Sequence, residues 1–218
     1  MRPGEKIRVC TRSGQNYFCS ISDITESFVR ADILEKEAES TELPCRIYLF
    51  QGLPKNDKME WIIQKTVELG VYEVIPVAMK NCVVKLDDKK AKSKVMRWQA
   101  IAESAAKQSK RSLIPEVKMP MSYKEAVAYA KELDVKLVPY ENEHGMAGTK
   151  AAMEQIEKGE SIAVFIGPEG GFAPEEIALV QDEMQLISLG KRILRTETAG
   201  IAALAILGYQ LESSDMIE

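Results

Sequence analysis

Ser161-Ile162-Ala163-Val164-Phe165-Ile166-Gly167-Pro168-Glu169-Gly170-Gly171-Phe172 runs without a break from an apolar segment into a glycine-rich loop. An apolar run lacking polar alternation is the pattern of a strand buried on both faces of a parallel sheet. The loop at the C-terminal end of such a strand is where these sheets bind ligands. Glycines permit positive φ and let a small molecule approach the backbone, while Pro168 stiffens the turn. An ordinary glycine-rich turn would look the same, so this segment alone predicts a sheet and leaves a site open.

Working outward, strand-like and helix-like segments alternate. Arg46 to Gln51, Glu73 to Val77, a stretch near Glu116, Lys136 to Tyr140 and Leu186 to Leu189 read as strands. Lys55 to Leu69, Ala91 to Ser109, Ser122 to Leu133, Thr149 to Glu157, Pro174 to Glu183 and Glu197 to Leu211 read as helices. Gly70 has the place of a helix C-cap glycine and Pro174 that of a first-turn proline. Such alternation predicts an α/β fold with a mostly parallel sheet. Lys6 to Thr11, Gln15 to Ile21 and Phe28 to Leu34 are short β-prone runs separated by Ser13-Gly14 and by Asp23 to Ser27. They predict a small β domain over residues 1–42, its end a polar linker from Glu35 to Pro44, followed by an α/β domain over 43–218. Trp61 and Trp98 fall among apolar helix neighbours and are expected in the core.

Composition excludes several classes. Hydrophobic residues make up 45% and charged residues 28% of 218, as in a folded globular protein. The longest apolar run, Ala199 to Tyr209, spans 11 residues, whereas a membrane helix needs about 20. With no apolar signal stretch at the N-terminus, a cytoplasmic location is expected. The four cysteines form no CxxC pair and the single histidine, His144, stands alone in a polar loop, so no metal site is expected. Cys10 and Cys19 flank the predicted hairpin and could approach, although cytoplasmic thiols stay reduced. A net charge of -4 argues against indiscriminate coating of nucleic acid. Local basic stretches exist nonetheless, Lys85 to Arg97 and Lys107 to Arg111, readable also as solvated helix faces. The glycine loop lacks GxGxxG spacing, and Gly190-Lys191 lacks the ending of a phosphate-binding loop, which removes kinase and ATPase readings.

A second informative segment is Ser188-Leu189-Gly190-Lys191-Arg192-Ile193-Leu194-Arg195-Thr196-Glu197-Thr198-Ala199. It reads as a short strand, a glycine and an irregular entry to a helix, with Thr196 placed as an N-cap. Capping by the threonines and a surface pair between Arg195 and Glu197 would explain it without chemistry. Taken together, however, Gly167-Pro168-Glu169-Gly170-Gly171 and Ser188 to Ala199 resemble the paired signature of the RsmE family within the SPOUT methyltransferases. The likeness extends back through Gln51 to Lys55, Gln64-Lys65 with Glu68 to Gly70, and Gln108 to Arg111 with Pro115. Residues 1–42 resemble the family's PUA-like RNA-binding β-barrel. Members carry a further first strand ahead of the stretch resembling Met1 to Ile7, so the barrel is expected to be truncated here.

The resemblance implies a C-terminal SPOUT domain with a trefoil knot, S-adenosylmethionine as cofactor, and a homodimer. It implies methylation of a uridine at N3 in 16S rRNA of the small ribosomal subunit, the family's target being uridine 1498 in rRNA numbering. Ribose 2′-O methylation and a non-catalytic ribosome-binding role are the alternatives. By position, the cofactor would be held by Leu137, Pro139, Tyr140 and Glu141; by Ile166, Gly167, Pro168, Gly170 and Gly171; and by Leu189, Gly190, Ile193, Leu194, Thr196, Thr198 and Ala199. Ile166, Leu189, Ile193 and Leu194 are expected to form the apolar slot for adenine. Removing the N3 proton and stabilising the oxygens calls for a base and a cation, which points to Arg195 with Glu197 or Glu169; Arg195 on an RNA phosphate is the alternative. Arg2, Gln108, Lys110 and Arg111 are candidates for RNA contact, the last three also readable as a helix end that favours cations.

Overall fold

The computed structural model describes residues 1–11, 15–37, 40–143 and 145–214. The N-terminal sheet is antiparallel, in the order β1 (Lys6–Cys10), β2 (Asn16–Ile24), β3 (Val29–Lys36). β3 extends into the stretch expected as linker, and its register with β2 shifts between Phe18 and Cys19 and again between Ile21 and Asp23. The expected turn at Ser13-Gly14 and the polar-loop position of His144 lie outside the described residues. Cys10 and Cys19 do not meet: Cys19 faces Ile7 across the ladder, Cys10 faces Asn16, and both thiols are free.

The α/β part runs β4 (Arg46–Gly52), α1 (Lys58–Glu68), β5 (Val71–Ala78), α2 (Asp88–Gln108), β6 (Glu116–Val117), β7 (Met121–Ser122) and α3 (Tyr123–Ala130). It continues through β8 (Val135–Pro139), α4 (Ala147–Glu154), β9 (Ser161–Ile166), α5 (Pro174–Val180), β10 (Gln185–Ile187) and α6 (Thr196–Ser214). All these strands are parallel, in the order β10-β8-β9-β4-β5-β6, with β7 also on β5. The apolar run from Ser161 to Ile166 is β9, buried at every position between β8 and β4. Phe165 of β9 stacks on Phe50 of β4 with ring centroids 4.4 Å apart. Chain order reverses across β9 and β4, which is where open parallel sheets leave a crevice at their C-terminal edge.

Local chemistry sets the helix ends. Gly70 adopts φ +94 just past α1 and its N–H donates to Val67 O at 3.1 Å, as its C-cap reading requires. Asp87 caps α2 by accepting from Lys90 N at 2.8 Å, which starts that helix earlier than the apolar pattern suggests. α2 ends in a Schellman turn: Arg111 N donates to Ala106 O at 2.9 Å and Lys110 N to Lys107 O at 3.3 Å. Lys110 thus takes φ +57, a left-handed position usually given to glycine. The N-terminal sheet docks on that turn. Arg8 donates to the carbonyl of Lys110, Thr41 Oγ1 does so at 3.0 Å, and Asn16 Nδ2 reaches Ser112 Oγ at 2.5 Å.

Two expectations are overturned. Trp98 is core at 4% exposure, but Trp61 is 53% exposed with Lys65 Nζ 5.0 Å from its ring centroid. Its neighbours Met59, Ile62 and Ile63 already fill the buried side of α1. Arg111 does not face RNA. Its guanidinium is 4% exposed, pairs with Glu42 and donates to Val67 O at 3.1 Å and Val71 O at 2.6 Å. Glu42 also accepts from Ser112 N at 2.8 Å and Leu113 N at 3.1 Å. Removing one partner of such a pair strands the other in a poorly solvated place. Arg111→Ala is expected to lower unfolding free energy in urea by about 3 kcal/mol; a loss below about 0.5 kcal/mol, the range of neutral surface changes, would show the clasp to be dispensable.

Candidate active site

Four chain segments converge at the C-terminal ends of β4, β8, β9 and β10. The turn after β9 reaches its place because β4 ends in Gly52: a Cβ there would lie 2.7 Å from Pro168 N and 2.8 Å from Pro168 Cδ. Asn81 Nδ2 then holds the glycine turn by donating to Gly170 O at 3.0 Å and Gly171 O at 3.2 Å. Glu176 in the first turn of α5 accepts from Ala173 N and Lys80 N, both at 2.8 Å, tying the exit of β5 to the exit of β9.

Thr196 has the residue type of a helix cap, yet its hydroxyl serves as a tether between distant segments. It is the first residue of α6 and is 5% exposed. Its hydroxyl donates to Gly167 O at 2.6 Å and accepts from Gln51 Nε2 at 2.9 Å. Across the cleft, Thr149 Oγ1 and the backbone of Ser188 exchange two hydrogen bonds of 2.9 Å, which pins the exit of β10 to α4. Tyr140 N donates to Ile187 O at 3.0 Å and fixes the exit of β8 beside it.

The cleft so enclosed measures about 600 Å³, the size of a small-molecule site. Of the residues expected at a cofactor, Pro139, Tyr140, Glu141, Ile166, Gly167, Pro168, Gly171, Leu189, Gly190, Ile193, Leu194, Thr196 and Ala199 line it. Arg195 and Glu169 line it too. Leu137 does not, being fully buried in the sheet core beneath. Gly170 faces Asn81, Thr198 lies exposed on α6, and Glu197 stands beside the mouth. Ile193 is 86% exposed and belongs to the rim; Ile166, Leu189, Leu194 and Phe172 supply the apolar lining. Arg2, Gln108 and Lys110 are exposed but outside the cleft.

Sequence reading missed Lys58, Glu143, Phe172 and Ser188 as lining residues; Lys191 and Arg192 line it as members of the cleft segment Leu189 to Ala199 that the resemblance implies. Lys58 is the most consequential. Its ammonium lies 3.1 Å from Glu169 Oε1 and 3.1 Å from Glu197 Oε2, joining the start of α1 to both other segments. Hydrogen bonding to Glu169, more than burial opposes, holds the Lys58 ammonium above the usual lysine range. Burial would push the Glu169 carboxyl up, but hydrogen bonds from Lys55 N (3.0 Å) and from Lys58 overcome it and hold the group below the usual range. Glu169 is therefore an anion at neutral pH and a weak proton acceptor. Arg195 is exposed and makes no ion pair among the described residues.

A glycine-turned cleft at the switch point of a parallel sheet, with the unpaired cations Lys191, Arg192 and Arg195 at its edge, suits a small apolar-and-polar ligand and an anionic substrate. Residues 41–208 match the RNA methyltransferase domain family. The "Ribosomal RNA small subunit methyltransferase E" of Bacillus subtilis (strain 168) is 38% identical over 97% of this chain and 84% of its own. The Neisseria gonorrhoeae protein of the same name, solved bound to S-adenosyl methionine, superposes with TM-score 0.79 at 33% identity, covering 95% of this chain and 84% of that one. A Legionella pneumophila protein solved with bound cofactor SAM gives TM-score 0.81 at 32% identity, over 96% and 84%. The fold and site are thus those of an S-adenosylmethionine-dependent RNA methyltransferase. Within that class, the chain belongs to the ribosomal RNA small subunit methyltransferase E family.

The close approach of Gly52 to Pro168 gives a direct test of how the cleft is built. Gly52→Ala is expected to cost S-adenosylhomocysteine affinity at least tenfold, because Cβ meets backbone that cannot yield. Calorimetric titration reads it, and unchanged affinity would mean that the turn shifts freely.

Proposed function

We propose that this chain transfers the methyl group of S-adenosylmethionine to N3 of a uridine in 16S rRNA of the small ribosomal subunit, in the cytoplasm. The observation that carries the reading is the unpaired Arg195 guanidinium at a cleft whose floor is the glycine backbone of residues 167–171. The names of the relatives support the rRNA substrate.

When bound, the cofactor supplies an electrophilic methyl group on a positively charged sulfur. In this reading the backbone of Gly167, Gly171 and Gly190, together with the apolar side chains of Ile166, Leu189, Leu194 and Phe172, would hold the cofactor. Uracil N3 carries a proton between two carbonyls, so negative charge reaches those oxygens as the proton leaves. Arg195 is placed to stabilise that charge. Lys58 holds Glu169 and Glu197 as ion-paired anions, so these two position the mouth of the cleft, and the proton leaves to solvent there. N3 lies on the pairing edge of the base, so the uridine has to be unpaired or turned out to enter.

Also proposed are a trefoil-knotted SPOUT topology for residues 43–218 and a PUA-like RNA-binding role for the N-terminal sheet over residues 1–42. A homodimer is supported by α6. From Thr198 to Leu211 it carries no charge, yet Ala205 and Tyr209 are uncovered, Tyr209 at 75% exposure. A helix apolar all round is normally covered all round. α1, which packs on α6, leaves Trp61 open.

The testing experiment is transfer of a labelled methyl group to small subunits lacking N3 uridine modification, with nucleoside mass spectrometry. 3-Methyluridine is expected; a different methylated nucleoside would replace the assignment. Arg195→Ala should lower kcat about 100-fold or more while S-adenosylhomocysteine still stabilises the protein by roughly 2.7 kcal/mol at a hundredfold excess over Kd; lost cofactor stabilisation would refute its role. For the dimer, Tyr209→Glu should halve the mass seen by light scattering, and an unchanged mass would move the interface elsewhere.

A further inference from the structure

Two of the segments that line the cleft carry opposite charge. The segment after β8 brings Glu141 and Glu143; the segment between β10 and α6 brings Lys191, Arg192 and Arg195. Lys58 is neutralised by Glu169 and Glu197. By contrast, Lys191, Arg192 and Arg195 are exposed and make no ion pair among the described residues. Between them Ile193, at 86%, is the most exposed large hydrophobic side chain among the described residues. The rim stands on a fixed base: Gly190 turns the chain at φ +109, its N–H donates to Ser188 Oγ at 3.2 Å, and Ser188 is pinned to Thr149.

We propose that Lys191, Arg192 and Ile193 form the rim that grips the RNA strand on either side of the target nucleotide. This rests on the reading of RNA as substrate and adds to it the place where the strand lies. Two unpaired cations on a chain of net charge -4 mark a stretch of the cleft lining that attracts phosphate, whereas the carboxylates of Glu141 and Glu143 repel it. The strand therefore passes along the basic stretch, while the carboxylates favour the positively charged cofactor. Ile193 packs against the base next to the one that enters the cleft and fills the stacking gap it leaves, as apolar wedges do at unstacked steps. An isoleucine held out in water between cations gains nothing within the chain itself, whereas against an unstacked base it is covered.

The test uses the full chain, small subunits lacking the modification, and two variants: Lys191→Ala with Arg192→Ala, and Ile193→Ser. For the double variant, S-adenosylhomocysteine affinity is expected within about twofold of the parent, and KM for subunits is expected to rise at least tenfold. The slope of log KM against log salt should become shallower by about 1.4, two phosphate contacts at roughly 0.7 each for a single strand. For Ile193→Ser, kcat falls with the salt slope unchanged, because no phosphate contact is lost. An unchanged KM and slope in the double variant overturns the proposal, and so does a change of oligomeric state, which would assign these residues to contact between copies. If the parent transfers no methyl group to subunits, the substrate reading fails by itself. Binding of single-stranded RNA oligonucleotides to the same proteins then tests the rim, and equal affinities for parent and double variant overturn it.

Discussion

The hydroxyl of Thr196 accepts from Gln51 Nε2 and donates to the carbonyl of Gly167, and the cleft depends on that buried pair of hydrogen bonds. The three residues come from β4, the turn after β9 and the start of α6, which are remote in sequence and adjacent in space. Each bond contributes on the order of 1 kcal/mol, but leaving a buried partner unmade costs about 1–3. That asymmetry favours the observed position of the glycine turn, in which the Thr196 hydroxyl, Gln51 Nε2 and the Gly167 carbonyl are paired together. Gly200, one turn further along α6, keeps the helix close enough, since a Cβ there would lie 3.2 Å from Gln51 Oε1. Gly52 does the same for the opposite side of the turn.

Charge is distributed around this frame in a way that separates holding from chemistry. Lys58 and its two carboxylates form an ionic contact that joins three segments. Arg195, two residues before Glu197, is spared from that contact and remains available to an incoming anion. Neighbouring residues on one short segment thus differ, Glu197 being turned to its own chain and Arg195 to the open cleft.

Most of the fold was legible in sequence because its elements are strongly periodic or strongly apolar. β9 needs no correction, since a strand buried on both faces has no ambiguity of face. Gly70 and Pro174 act as their residue types predict, because their roles are local. What escaped the sequence is long-range. Lys58 lies on a helix more than a hundred residues from its two carboxylates, and nothing in its surroundings marks it. Trp61 reads as core because its neighbours are apolar, but helix geometry turns it outward. Thr196 has the residue type of a cap, and the same hydroxyl chemistry that makes a good cap makes a good tether to a distant carbonyl. Ile193 lines the cleft as the family resemblance implies, but at its exposed rim rather than inside the apolar slot. Arg111 had a cation's usual claim on RNA, and the interior carbonyls of Val67 and Val71 took precedence.

The order of the segments along the chain has a consequence for synthesis. Gln51 emerges early and waits with a buried amide group to satisfy, while its partner Thr196 and the lining residue Ala199 arrive only when α6 leaves the ribosome. The sheet can assemble its β4 and β5 pairing before that moment, but the cleft cannot exist. A chain interrupted anywhere before α6 would carry most of a domain but neither Thr196 nor Ala199, so the cleft waits on the start of the last helix.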